Sequence, residues 1–267
     1  MNATRLMNFN HSEQVIPSSV RNAVRQHFLS ACLVGLAALF CSASAQAGNE
    51  ATHESLEKDV SGLWLYTGLT TGDGTEMPLT GVFLFKDGVF IQQAVFDDGD
   101  FSEARAMAHA GPYRTQPDSG SVHLVAEQTI STSPVDTPAL SFRADTDHDV
   151  TVTREGETLT LIFGMGTSTV QSFSWVGPGT GAIHRLEDGM LAFSDNYFVL
   201  VEGDENSVTT GYGTYQQDGD DLTLKVIRWS EADESGARNF KDIQLDATFD
   251  GQVLDLGDGR SFSVISG

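Results

Sequence analysis

No cysteine follows Cys41, so whatever folds beyond that point is held without a disulfide and must rest on burial. Basic residues are few, 15 Lys and Arg against 37 Asp and Glu. Such a field repels nucleic acid and anionic lipid, and these classes of partner are set aside. No apolar run reaches the roughly 20 residues that a membrane-crossing helix needs. Missing too are a Gly-x-Ser-x-Gly elbow, a phosphate-binding glycine loop, a dinucleotide fingerprint, a zinc cysteine pair and a complete EF-hand loop, which weakens the enzymatic reading. Asp145-Thr146-Asp147-His148-Asp149 alternates acids as a calcium loop does. Val150, however, stands where the sharp turn needs Gly, and Gly156 where a bidentate Glu belongs, so it reads as a solvated turn.

Near the start, Arg21 and Arg25 precede the apolar run Phe28 to Phe40, and Ala43-Ser44-Ala45 follows. That order is the charged, apolar and cleavable sequence of a secretory signal. Residues 1–45 are read as this leader with a long polar preface, and a periplasmic or secreted destination is expected. Removal of the leader takes away both cysteines, Arg5, Arg21, Arg25 and Glu13. The remainder carries 36 acidic and 12 basic residues, a net charge near −24. The acids are scattered through turns, as suits solubility in a salty exterior.

From Val60 onward, short apolar or alternating runs are separated by Gly and Asp turns, the pattern of an all-β sandwich or barrel. Ile243 to Phe249 alternates cleanly, and Asp-Gly pairs such as Asp87-Gly88 suit tight hairpins because both residues tolerate positive φ. Four segments recur in order. Gly81 to Phe90 matches Gly189 to Phe198, Gly111-Pro112-Tyr113 matches Gly213-Thr214-Tyr215, Val122-His123-Leu124 matches Leu222-Thr223-Leu224, and Glu155 to Leu161 matches Asp250 to Leu256. The sequence therefore predicts two tandem antiparallel β-meander units, 59–177 and 181–267, joined at Gly177-Pro178-Gly179-Thr180-Gly181.

In the first unit, Ser61-Gly62-Leu63-Trp64-Leu65 resembles the opening Gly-x-Trp strand of lipocalin-like proteins. The Phe-rich hairpin Gly81 to Phe96, the Gly-x-Tyr strand from Gly111, Val122 to Val125 and Gly156 to Leu161 continue the resemblance. The second unit departs from it, with Ile183-His184-Arg185-Leu186 in place of the Trp strand. The resemblance implies barrels of about eight strands with an apolar interior able to hold one small ligand, although fold alone does not fix function.

Candidate ligand-binding residues are Trp64, Tyr113, Arg114, Arg143, Trp175, His184 and Arg228. The aromatics would line an apolar site, and an inward guanidinium would clamp a carboxylate with its rigid fork. The opposing reading puts the arginines outside, paired with surface acids, and the tryptophans in the core. His123 is expected on the polar face of its strand, while His109 and His184 stand near strand starts, where a barrel mouth would place them. No catalytic set, metal site or cofactor is assigned. The function favoured is binding of a small apolar molecule such as a lipid, fatty acid or pigment. A cell-envelope interaction module with a protein partner and a barrel isomerase or lyase are the alternatives. Cleavage after Ala45 or Ala47 fits the small-residue rule, and the favoured site, Ala45, predicts an exported chain beginning at Gln46, which N-terminal sequencing checks.

Overall fold

The computed structural model describes residues 55–96, 99–164 and 168–265; the expected leader lies outside them. A helical segment, α1 (55–60), precedes an eleven-stranded antiparallel sheet. Its strands are β1 Gly62–Thr70, β2 Glu76–Met77, β3 Leu79–Lys86, β4 Val89–Phe96, β5 Ala106–Gln116, β6 Ser121–Ala126, β7 Gln128–Thr132, β8 Leu140–Arg143, β9 Thr146–Glu155, β10 Thr158–Phe163 and β11 Thr169–Gly177. Pairing runs β4-β3-β1-β11-β10-β9-β6-β5 and returns from β5 to β4, closing an eight-stranded barrel. β7 and β8 prolong β6 and β9 beyond one end.

A second sheet follows, with β12 Gly181–Leu186, β13 Gly189–Ser194, β14 Tyr197–Gly203, β15 Val208–Asp218, β16 Asp221–Asp233, β17 Gly236–Phe249, β18 Val253–Asp255 and β19 Ser261–Ser263 in sequential order. A bridge from Leu186 to Val264, with the Ile265 amide donating to the Arg185 carbonyl at 2.9 Å, nearly closes it into a second barrel. The protein is thus all-β and built from two antiparallel barrel-like sheets, an architecture compatible with a lipocalin-like fold.

Local sequence explains the shape. The β3-β4 and β13-β14 hairpins turn on positive-φ pairs, Asp87-Gly88 (φ 51° and 76°) and Asp195-Asn196 (φ 50° and 68°), the geometry that matches strand twist. Gly111 and Gly213 sit where a neighbouring strand bulges toward them. A Cβ at Gly111 would lie 2.0 Å from the Val125 carbonyl oxygen, and one at Gly213 would lie 2.1 Å from that of Lys225.

Several strands are apolar on both faces. In β3, Phe83 and Phe85 point into the first barrel while Val82 and Leu84 point out. Those outward residues, with Leu63, Ile91, Ala108, Ala110 and Ile130, pack on Met190, Ala192, Val199, Val201, Val208 and Tyr212 from the outside of the second barrel. Val82 and Met190, and Leu84 and Ala192, are counterparts in the sequence matches, Ile91 and Val199 and Ala110 and Tyr212 directly adjoin those matches, and all lie on this one face. Polar groups buried beside it are partly paired, while Gln93 Oε1 and Gln128 Oε1 have no hydrogen-bond partner among the described residues. Gln93 Nε2 donates to Thr210 Oγ1 at 3.1 Å, and Thr132 and Ser230 share a hydroxyl contact at 2.6 Å. Gln128 Nε2 donates to the carbonyls of Asp188 and Gly203 at 2.7 and 2.8 Å.

The second barrel is filled by Leu191, Phe193, Phe198, Leu200, Leu224, Trp229 and Phe249, and the alternating Ile243 to Phe249 run turns its apolar side into this core. Shared burial should make the barrels unfold together. Ile91→Ala, a change in the first barrel, is expected to cost about 2–5 kcal/mol. In a variant whose only tryptophan is Trp229, the second barrel's urea midpoint should fall with it.

Candidate functional site

The ends of the first barrel differ. At one, α1 inserts buried Leu56 and Val60, and Trp64 Nε1 donates to the Val60 carbonyl at 2.8 Å. Trp175 meets Trp64 edge-on, 4.8 Å between ring centroids. The Arg154 guanidinium lies 5.0 and 4.6 Å from the two ring centroids and donates to the Lys58 carbonyl at 3.1 Å. The Tyr113 hydroxyl donates to Glu57, and burial lifts its pKa well above the usual phenol range. This end is shut.

Above the shut end lies an aromatic stack. Phe83, Phe90 and Phe173 are fully buried, and Phe85 stacks on Phe83 at 4.3 Å. Polar side chains rest directly on it. Tyr66, 4.3 Å from Phe173 between ring centroids, donates its hydroxyl to Gln171 Oε1 at 2.8 Å and accepts a hydrogen bond from Gln92 Nε2. Burial raises the Tyr66 pKa, so the phenol stays protonated.

Antiparallel register sets Gln92 opposite His109 and His109 opposite Thr129, which places these three side chains in one row on the inward face. His148, opposite core residue Leu124, brings its ring parallel to that of His109, within 8° and 6.1 Å between centroids. His109 Nε2 is sealed from solvent and has no hydrogen-bond partner among the described residues. Burial, helped by the neighbouring His148, pushes the His109 pKa down to about 4, and burial also lowers that of His148. Both imidazoles are therefore neutral near pH 7.

Toward the open end the walls become apolar again, with Leu69, Met77, Leu79, Phe96 and Phe163. Two depressions lie there. One of about 260 Å³ is lined by Phe96 and Met107 with Arg105, Ser131 and Asp136 at its rim, and one of about 650 Å³ by Leu69, Met77 and Leu79 with Thr67, Glu76 and Ser172 among others. Met107 faces inward opposite Ala94, two residues from His109 toward the mouth.

The seven residues proposed from the sequence do not form one cluster. Trp64 and Trp175 meet at the shut end with Tyr113 nearby. Arg114 is exposed opposite His123, whose ring sits between Asp149 (2.8 Å) and Asp147 (3.3 Å). Arg143 is exposed opposite Thr129 at the open end. His184 stands in the second barrel 5.0 Å from Phe249, and Arg228 lies 5.3 Å from the Phe101 ring. The sequence marks His109 as a mouth candidate and puts His148 within a solvated turn, whereas His148 lies in strand β9. Sequence reasoning missed Tyr66, Gln92 and Gln171; only Gln92, an amide within the largely apolar run Val89–Phe96, left a signal. Among the described residues no group of three or more His, Cys, Asp or Glu could hold a metal ion. Comparison with known proteins found no matching family model, curated protein or solved structure.

His109, whose Nε2 is sealed from solvent, and half-buried Glu202 oppose each other in pH. His109 is depressed, so its contribution to stability is complete above about pH 6.5 and is lost as pH falls toward 4, by about 3 kcal/mol at most. His148 and His184 act in the same sense. Glu202, raised to about 7 by burial and by Asp188 and Asp204, contributes fully below about pH 4.5 and loses its contribution as pH rises through 7. Glu202→Gln should therefore stabilise the protein near pH 8 and leave it unchanged near pH 4.5. His109→Gln should flatten the loss of stability between pH 6.5 and 4. Urea midpoints across this range check both.

Proposed function

We propose that the first barrel is a vessel for one small apolar molecule bearing a polar group, within a protein exported to the periplasm or secreted. The observation that carries this reading is the band formed by Tyr66, Gln92, His109, His148 and Gln171 across the inside of a closed barrel, between an aromatic floor and an apolar mouth. A barrel that needed only a core would be filled as the second one is, since a polar side chain in the interior adds desolvation cost without adding packing. A few placed polar groups in an apolar surround are what orients a small ligand.

The envelope-module alternative has less support. The exposed large hydrophobics among the described residues are Val135 and Ile265, which do not amount to an apolar docking patch. The enzyme alternative needs an oriented acid or base. Neither His109 nor His148 is hydrogen-bonded to a carboxylate among the described residues.

The neutral fluorophore N-phenyl-1-naphthylamine tests the vessel. Saturable one-to-one binding is expected. Met107→Trp should weaken it about tenfold or more by filling the mouth, and Phe193→Leu in the second barrel should leave it unchanged. Absence of saturable binding to the folded protein would sink the reading.

A further inference from the structure

The order of layers along the first barrel bears on which part of a ligand goes where. Beneath the polar band, Phe83, Phe90, Phe173 and Trp64 have no exposed surface, and Tyr66 rests on Phe173. An apolar chain finds its walls only on the mouth side, at Leu69, Leu79, Phe96 and Met107. The polar part of an amphiphile must therefore travel deepest.

Charge narrows that part further. Between the band and the aromatic floor, the inward register positions of the described residues carry no Asp, Glu, Lys or Arg. Arg154 lies beyond the floor, held over Trp64 and Trp175. At the rim, Arg105 is paired with Asp136 at 3.4 Å, and Arg143 is exposed one strand beyond Thr129. A carboxylate or ammonium brought down to His109 would leave water without meeting an opposite charge. A hydroxyl or carbonyl needs only what is there, an unpaired imidazole nitrogen beside the amide of Gln92 and the Tyr66-Gln171 pair.

Resting on the vessel reading above, we infer that the barrel takes an uncharged amphiphile head-first, with a hydroxyl or carbonyl hydrogen-bonded to His109 Nε2 and the apolar tail directed to the mouth. The polar band selects against ionised heads, and the apolar mouth accepts the chain.

Three probes of matched chain length test this by calorimetry near pH 7.5: 1-decanol, decanoate and decylammonium. Decanol should bind at least about tenfold more tightly than either ion. His109→Phe should weaken decanol about tenfold, the size expected for one lost hydrogen bond, whereas Phe193→Leu in the second barrel should leave it unchanged. His109→Gln, which keeps a donor and an acceptor, should restore part of the loss and stands in if His109→Phe fails to fold. Arg143→Gln should leave decanol unchanged. Decanoate binding as well as decanol and depending on Arg143 would overturn the head-first orientation while leaving the vessel intact. So would decanol binding that ignores both His109 variants, or naphthylamine binding with none of the three decyl probes. Failure of every probe, naphthylamine included, would overturn the vessel as well.

Discussion

The apolar face between the barrels is the constraint on which the rest depends. With no cysteine beyond residue 41, stability comes from burial, and strands β3, β4, β5, β13 and β14 are apolar on both sides. Either barrel alone would leave one of those sides in water. Joined, the outward residues Leu84, Ile91, Ala108 and Ala110 are covered by Val199, Val201 and Tyr212, and one sheet wall serves two cores. Gln93 and Gln128 are tied across the junction by their Nε2 groups, and this polar pairing favours one register of contact.

That shared wall positions the site. Gln92 and His109 lie on the inward faces of β4 and β5, and the neighbouring residues Ile91, Ala108 and Ala110 are clamped from outside by the second barrel. A polar band in a free-standing barrel would sit on strands able to breathe. Here the wall that carries it is backed by a solid body, which suits the proposed binding role. The second barrel, filled with aromatic and aliphatic side chains, thus acts as a buttress.

Much of this was legible in the sequence. Alternation at Ile243 to Phe249 and the Asp-Gly and Asp-Asn turns gave all-β architecture, because strand period and positive φ are local properties of the chain. The double-sided strands were harder, since a continuous apolar run such as Val82 to Phe85 does not say which side meets its own core and which meets a neighbour. The polar band was least legible. Nothing local distinguishes Gln92, which faces the interior, from Gln93, which faces the second barrel. One residue of register separates an amide inside the barrel from one at the junction, and register is set by partners far away in sequence. The arginines drew attention as rare cations in an acidic chain, yet rarity says nothing about direction, and Arg114 and Arg143 are exposed.

The shut end made by α1, Trp64, Trp175 and Arg154 turns the first barrel into a blind tube. A blind tube exchanges its contents through a single aperture, so each arriving molecule must let water out past its own flanks. Residence time then scales with how much chain must be drawn back through that aperture, and a longer tail slows departure even when the deep contact is identical. Under the proposed head-first binding, kinetic selection by length follows from this single aperture.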